Sequence, residues 1–447
     1  MFKIMKYIFK TFLILFLILQ KVCAEQQLSL IRDAEIEDFL YEISRPIFKS
    51  AKLNPNDIRF YIVNDNSINA FVMGGQNIFI NTGTLINFDK PDGILGIIAH
   101  ETGHIFAGHL ARYNSETSSI QNISIGSILL GVGALLAGAP EVGQAVIFGG
   151  LQVGQQSILQ YTRVQEEEAD SLAIKFLHDN QLSASALLES MDKFYMEELQ
   201  YEDQAEYYST HPLSRNRRQF INDKMKNEKF SNNNFNSKYN REFNFIKAKI
   251  LAYQKKQGQK IDIDLNSDYG KYAEAIINMN ENKTKLALKN IDYLISKYIN
   301  DPYFYELKGD IFLKENNVEG ALRGYNIADK TLRNNTLIKK MIAFIIIKYE
   351  QKDMYQKAID NLNFIIQLDS QDNVSFKLLA EAYFKNNEKA MSYLTLAKYY
   401  ISLEYEKKVE KYLDMAKKET DDPNILRQIE DLKDSSDKKI FAPKLKK

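Results

Sequence analysis

The spacing of apolar residues along this chain changes several times, and each change marks an element. Ile31, Ile36, Phe39, Leu40, Ile43 and Ile47 recur at helical steps, which predicts a helix over 28–52. Three short alternating stretches follow at 58–63, 68–73 and 76–81. Asn64-Asp65-Asn66 and Gly74-Gly75 separate them, and Thr82-Gly83 closes the last. They predict a small antiparallel sheet. Ile94, Leu95, Ile97, Ile98 and Ala99 form an almost unbroken apolar run, the mark of a buried helix. From 117 to 162 the one charged residue is Glu141, and 123–139 is rich in Gly, Leu and Ala. Such a stretch reads as a helical hairpin folded on the protein and able to touch a membrane, or as a membrane-spanning pair. Gln144, Gln152, Gln155 and Gln156 favour the hairpin, because amides are costly in lipid. Ala169, Leu172, Ala173 and Phe176 then give the apolar stripe of a further helix.

The two ends read differently. Lys3, Lys6 and Lys10 precede an apolar run at 12–19 and then Val22-Cys23-Ala24. This is the pattern of a secretory signal peptide over 1–24, cleaved after Ala24. A retained anchor would need a longer run, and a lipid-modified Cys23 would need other residues before it. Cleavage removes the chain's one Cys, so no disulfide framework is expected, and the mature protein is placed in the periplasm. Residues 223–240, rich in Asn, Lys and Ser, read as a linker. From 241 to 432 the pattern is helical, in helix–turn–helix units of about 34 residues. Leu307 to Phe312, followed by Gly320, Ala321, Leu322, Tyr325 and Ala328, is the clearest unit, and Asp301-Pro302 opens it. Residues 433–447 are charged and expected to be disordered.

The composition agrees with a mainly α chain carrying one small sheet. Pro is scarce, with 8 residues, and the apolar fraction of 45% is that of a globular protein. The formal net charge is zero, so no basic face for nucleic acid is implied.

The candidate chemistry lies in the buried helix. His100-Glu101-Thr102-Gly103-His104 places two imidazoles four residues apart, on one helical face, with a carboxylate beside them. Three of the chain's five His fall in this segment. One zinc ion suits such a donor set. Glu166 shares a helix side with Ala169, Asp170 and Ala173, and can supply a third ligand. Asp170 can hold the free ring nitrogen of a ligating His. Two His and one Glu leave a zinc position open for water, as a catalytic site requires. His109 lies about 140° off the face of His104 and is not expected to be a ligand. His178 reads as an ordinary helix residue. Asn77, Ile78 and Phe79, on the third strand, are the candidates for an edge that holds substrate backbone by strand addition.

Together these residues resemble the HtpX/CAAX-protease-like zinc metallopeptidases, whose periplasmic members carry tetratricopeptide repeats behind the peptidase. The resemblance spans about 28–222. It rests on the HExxH helix, the long apolar insert and Glu166-x-x-Ala169-Asp170. Asn69-Ala70-Phe71, His109-Leu110-Ala111-Arg112 and Thr210-His211-Pro212 with Arg217 add to it. It implies a zincin-like metallopeptidase domain over 25–222 followed by a tetratricopeptide-like solenoid. It also implies His100, His104 and Glu166 as zinc ligands, Glu101 as general base and Asp170 as supporting acid. His211 then caps the zinc as a fourth ligand, donates a hydrogen bond to the tetrahedral intermediate, or is a loop residue. Arg217 is a candidate partner for an active-site carboxylate. The implied clients are misassembled outer-membrane proteins, with the repeats docking clients or the outer-membrane assembly machinery. The rival reading is a periplasmic chaperone or scaffold whose repeats carry the main task and whose protease site is latent.

Overall fold

The computed structural model describes residues 30–109, 161–201, 211 and 215–440, except 74, 227, 231–236, 257, 371 and 404. The expected signal peptide and the uncharged stretch at 117–160 lie outside the described residues. Among those described, no helix is long and apolar enough to cross a membrane.

Strand β1 (Leu30–Ile31) leads into helix α1 (Ala34–Ser50), which is shorter than its periodicity suggested. Asp33 sets its start by accepting a hydrogen bond from the Ile36 amide at 3.0 Å. Strands β2 (Arg59–Val63), β3 (Ala70–Met73) and β4 (Asn77–Asn81) follow. The sheet order is β1-β2-β4-β3. The sheet is mixed, not antiparallel as expected: β2 and β4 run parallel, while β1 pairs with β2 and β3 with β4 in antiparallel fashion. A parallel pair needs a crossover, and β3 with its flanking turns supplies it. One face of the sheet puts Phe60, Ile62, Ala70, Val72, Ile78 and Ile80 into a core with Phe39 and Ile43 of α1. The other face carries a stacked row, Tyr61–Phe79–Phe71, with ring centres 4.9 and 5.0 Å apart.

After α2 (Thr82–Asn87), helix α3 (Pro91–Ala107) is buried on nearly all sides from Gly93 to His104. Ile94, Ile97 and Ile98 join the sheet core. Leu95 and Ala99 join a second core with α4 (Arg163–Asp179), α5 (Ser185–Tyr201) and α6 (Arg215–Met225). Two glycines permit this depth. A methyl group on Gly96 would sit 2.4 Å from the Ala186 carbonyl oxygen, and one on Gly103 2.8 Å from that of Ala169. Gly103 therefore sets how closely α4 lies against the HExxH turn.

Helix α7 (Ser237–Gln254) begins inside the range expected to be linker, as α6 ends inside it. Phe243, Ile246 and Ile250 belong to the sheet core, whereas Phe245, Ala248 and Ala252 belong to the next core along the chain. The amphipathic pattern of α7 serves two partners, so this helix joins the two cores that it borders.

Beyond it stand five helix pairs: α8 (Asp268–Asn280) with α9 (Thr284–Lys297), α10 (Pro302–Lys314) with α11 (Val318–Leu332), α12 (Thr336–Lys348) with α13 (Tyr355–Leu368), α14 (Asn373–Lys385) with α15 (Lys389–Ser402), and α16 (Glu406–Lys418) with α17 (Pro423–Ile440). Asn282, Asn316, Glu350 and Asn387 adopt positive φ in the turns within the first four pairs, at spacings of about 34 residues. Helix α17 runs through the first part of the tail expected to be disordered. The pairs reach back to α1. Asp38 accepts hydrogen bonds from Tyr303 at 3.0 Å and Asn335 at 2.7 Å, and Arg59 pairs with Asp369 at 2.7 Å.

Candidate metal centre

The four-residue spacing on α3 and the first turn of α4 bring the candidate ligands together. A donor atom from each of His100, His104, Glu166 and His211 lies within 4.8 Å of the others, and all four residues are buried. His100 Nε2 and His104 Nε2 are 3.1 Å apart, and each is 3.4 Å from a Glu166 oxygen. Helix α4 is held at this point by a capping box between Thr162 and Gln165, so Glu166 enters at a fixed turn.

The surrounding residues fix these donors. His100 Nδ1 lies 2.9 Å from Asp170 Oδ1, along a bent approach. Arg217 grips Asp170 through Nε at 2.7 Å and Nη2 at 2.9 Å, and reaches Glu166 through Nη1 at 2.5 Å. It is 1% exposed, so this partner of the acids is fully buried. His211 sits with Nδ1 3.0 Å from Glu166 and Nε2 3.6 Å from Glu101. Neither Glu101 oxygen has a hydrogen-bond partner among the described residues.

Burial alone would raise Glu166 and Asp170. His211 and Arg217 hold Glu166 well below the usual carboxylate range, and Arg217 holds Asp170 down to about 2. Burial raises Glu101, and it lowers His104 well below its ordinary value. Burial also works against a charged His100, yet Asp170 and Glu166 outweigh it and push the ring up to about 9. Without a cation the acids thus hold a proton on His100. A divalent ion among these donors would displace that proton, since ligation requires the neutral ring. The donor set of two imidazoles and a carboxylate, with a third imidazole beside them, fits zinc.

Asn77, Ile78 and Phe79 are not part of this assembly. Strand β4 is bonded on both sides, by β2 and β3, so it offers no edge. Ile78 is fully buried in the core and Phe79 is enclosed between Tyr61 and Phe71. The outer strand on this side is β3, which among the described residues pairs with β4 alone.

Two neighbours were not read from the sequence. The Tyr161 ring stacks on His104 at 3.8 Å, and its buried hydroxyl has no hydrogen-bond partner among the described residues. Its place directly before the capping residue Thr162 was the available signal. His109 folds back so that its Nδ1 is 2.9 Å from His104 Nδ1. Gly108 makes this possible, ending α3 in the left-handed conformation at φ 64°. His178 bonds Glu228 at 2.9 Å, as a structural helix residue would.

A buried His-His-Glu set beside the Glu101 carboxylate is the arrangement of a metallopeptidase. Residues 31–224 match Peptidase family M48, and this region is an M48 peptidase domain. The chain is 24% identical over 374 residues to the beta-barrel assembly-enhancing protease of Escherichia coli K12, covering 79% of this chain and 73% of that protein. The protein of the same name from Yersinia pestis is 27% identical over 188 residues, which are 41% of this chain and 38% of that one. The mitochondrial metalloendopeptidase OMA1 of Schizosaccharomyces pombe is 27% identical over 158 residues, 35% of this chain and 43% of that protein.

Proposed function

We propose that the chain is a zinc endopeptidase exported to the periplasm, where it hydrolyses misassembled outer-membrane polypeptides. The observation that carries the catalytic part is the convergence of His100, His104 and Glu166 beside the buried Glu101 carboxylate, which has no hydrogen-bond partner among the described residues. When bound, zinc supplies Lewis acidity that polarises a peptide carbonyl and lowers the pKa of a water. Glu101 takes the proton of the attacking water and hands it to the leaving amine. Its burial, which favours the protonated form, suits it to carry that proton. Asp170, itself clamped by Arg217, keeps the His100 ring oriented. His211 stands among the ligand atoms, where it would cap a bound metal as a further ligand. The outer edge of β3 takes the extended substrate by strand addition, in place of β4.

The export signal, the reading of the helix pairs as tetratricopeptide-like, and the clients belong to the same proposal. The likeness to the beta-barrel assembly-enhancing proteases supports the clients, the N-terminal sequence pattern supports the export signal, and turns recurring about every 34 residues support the tetratricopeptide-like reading. The helix pairs dock clients or the outer-membrane assembly machinery on their surface.

The test is metal analysis with casein digestion on the purified mature chain and its Glu101→Gln variant. The expected result is one zinc per chain in both, with cleavage in the wild type alone. A variant that cleaves at the wild-type rate overturns the mechanism. The scaffold reading is separated by complementation: full rescue of an envelope defect by Glu101→Gln would move the main task to the helix pairs.

A further inference from the structure

We propose that His109 and Glu168 are positioning residues that fix the tautomer of His104 and so aim its Nε2 lone pair at the cation. The proposal deepens the zinc reading above and rests on it. Of the two motif imidazoles, His100 is held from behind by Asp170, a carboxylate that Arg217 grips with two hydrogen bonds. Among the described residues, no carboxylate reaches the back of His104. Its Nδ1 meets His109 Nδ1 at 2.9 Å, and His109 is 1% exposed. On the far side, His109 Nε2 lies 3.2 Å from Glu168 Oε2, whose side chain is 48% exposed.

The direction of the hydrogen bonds follows from what each group can do. An ionised carboxylate only accepts, so the proton of a neutral His109 sits on Nε2 and is donated to Glu168. That leaves His109 Nδ1 as a lone pair. A bond of 2.9 Å between two ring nitrogens needs one donor and one acceptor, so His104 Nδ1 carries its proton and donates. His104 Nε2 is then unprotonated, and it is the atom that faces His100 Nε2 and Glu166. The usual carboxylate-to-imidazole support of a metal ligand is thereby lengthened by one imidazole.

The turn at Gly108 is what makes the arrangement reachable. A residue five positions after His104 lies off its helical face. The left-handed residue at the end of α3 breaks that rule and returns His109 under the ring. Glu168 is one position before Ala169, whose close approach to Gly103 sets the depth of α4. The same helix contact therefore places Glu166 in front of His104 and Glu168 behind its support.

The test compares side chains of similar size at 109 in the full mature chain. Zinc affinity is measured by competition with a chromophoric chelator, and the absorption spectrum of the cobalt-substituted protein is recorded. His109→Leu fills the space but accepts nothing, and zinc binding is expected to weaken by roughly 10- to 100-fold with an altered cobalt spectrum. His109→Gln offers an amide oxygen to His104 and should recover most of the loss. Glu168→Gln, at the exposed end, should weaken binding by only a few-fold. Circular dichroism melts of the metal-free variants keep a folding defect apart from a ligand defect. If folded His109→Leu binds zinc as the wild type does, or if Leu and Gln weaken it equally, the proposal is wrong. If the wild type itself binds no zinc, the metallopeptidase reading fails as well.

Discussion

Two clusters of buried charge in this molecule use the same residue types and reach opposite balances. In the first, Glu101, Glu166 and Asp170 face Arg217, with His100, His104 and His211 around them. In the second, where α1 and α7 meet the helix pairs, Lys249 contacts Asp33 at 2.7 Å and Glu35 at 3.0 Å. Glu306 and Asp310 stand near it, and Tyr272 donates a hydrogen bond to Glu35 at 2.8 Å. In the first cluster Arg217, with His211, draws two acids well below their usual range. In the second, burial outweighs the one ammonium, so Glu35 rises to about 7, Asp310 to about 6 and Glu306 well upward. The first cluster keeps Glu166 and Asp170 charged against one guanidinium, which with neutral imidazoles leaves a net negative charge that a cation would meet. The second makes up its missing positive charge with protons. A buried acid is thus arranged either for a metal or for structure, and its partner decides which.

Removing the partners should expose this difference most strongly. Arg217→Ala leaves Glu166 and Asp170 buried without their guanidinium, with imidazoles as their remaining partners. Without metal it should cost about 3–5 kcal/mol in denaturant unfolding. Added zinc should recover part of that loss, because it meets Glu166 directly. If zinc gave this variant no more stability than it gives the wild type, the charge-matching account would fail.

Lys249→Ala should cost somewhat less, about 2–4 kcal/mol at pH 8, and zinc should not change the loss. At pH 5.5 the loss should shrink, because Glu35 and Asp310 then hold protons. Equal losses at both pH values would contradict the second half of the comparison.

Gly103→Ala tests the link between backbone and site. The added methyl meets the Ala169 carbonyl, so α4 must move away from α3. A loss of about 1–3 kcal/mol is expected, together with weaker zinc binding in a chelator competition. Unchanged zinc affinity would show that the cluster tolerates the shift.

Glu35→Gln should have the smallest effect. A carboxyl raised in the folded state contributes stability that is full below its unfolded pKa and is lost as pH rises through the folded value. The wild-type melting temperature should therefore fall, relative to the Gln variant, between about pH 5 and pH 7.5. Parallel profiles would mean that Glu35 does not titrate there.

The parts of this arrangement that follow from helical periodicity were readable in the sequence. His100 and His104 on one face, and Glu166 with Asp170 on another, need only a repeat of 3.6 residues. The parts that depend on chain reversal were not. Alternation locates the strands, yet it does not say which strands are neighbours: the pattern alone makes β4 a candidate edge, whereas it lies between β2 and β3. The helical angle alone puts His109 off the face of His104, and the Gly108 turn overrides it. The polar run from 223 to 240 looked like a tether, yet the apolar positions of α7 just beyond it divide between two cores. Periodicity measures how apolar a face is and does not count how many neighbours share it.

That shared helix bears on how such a protein is inherited. A recombination breakpoint placed after the last residue of the peptidase match, near 224, would strip Phe243, Ile246 and Ile250 from the inner face of the sheet. The fragment upstream would expose Phe39 and its neighbours, and the fragment downstream would lose the surface that orients its first helix pair. Exchange of the catalytic half between lineages is viable only when α7 travels with it, together with a receiving surface for Phe245 and Ala248. Cleavage by another protease in the stretch before α7 would be survivable, because both products remain clasped by the same helix.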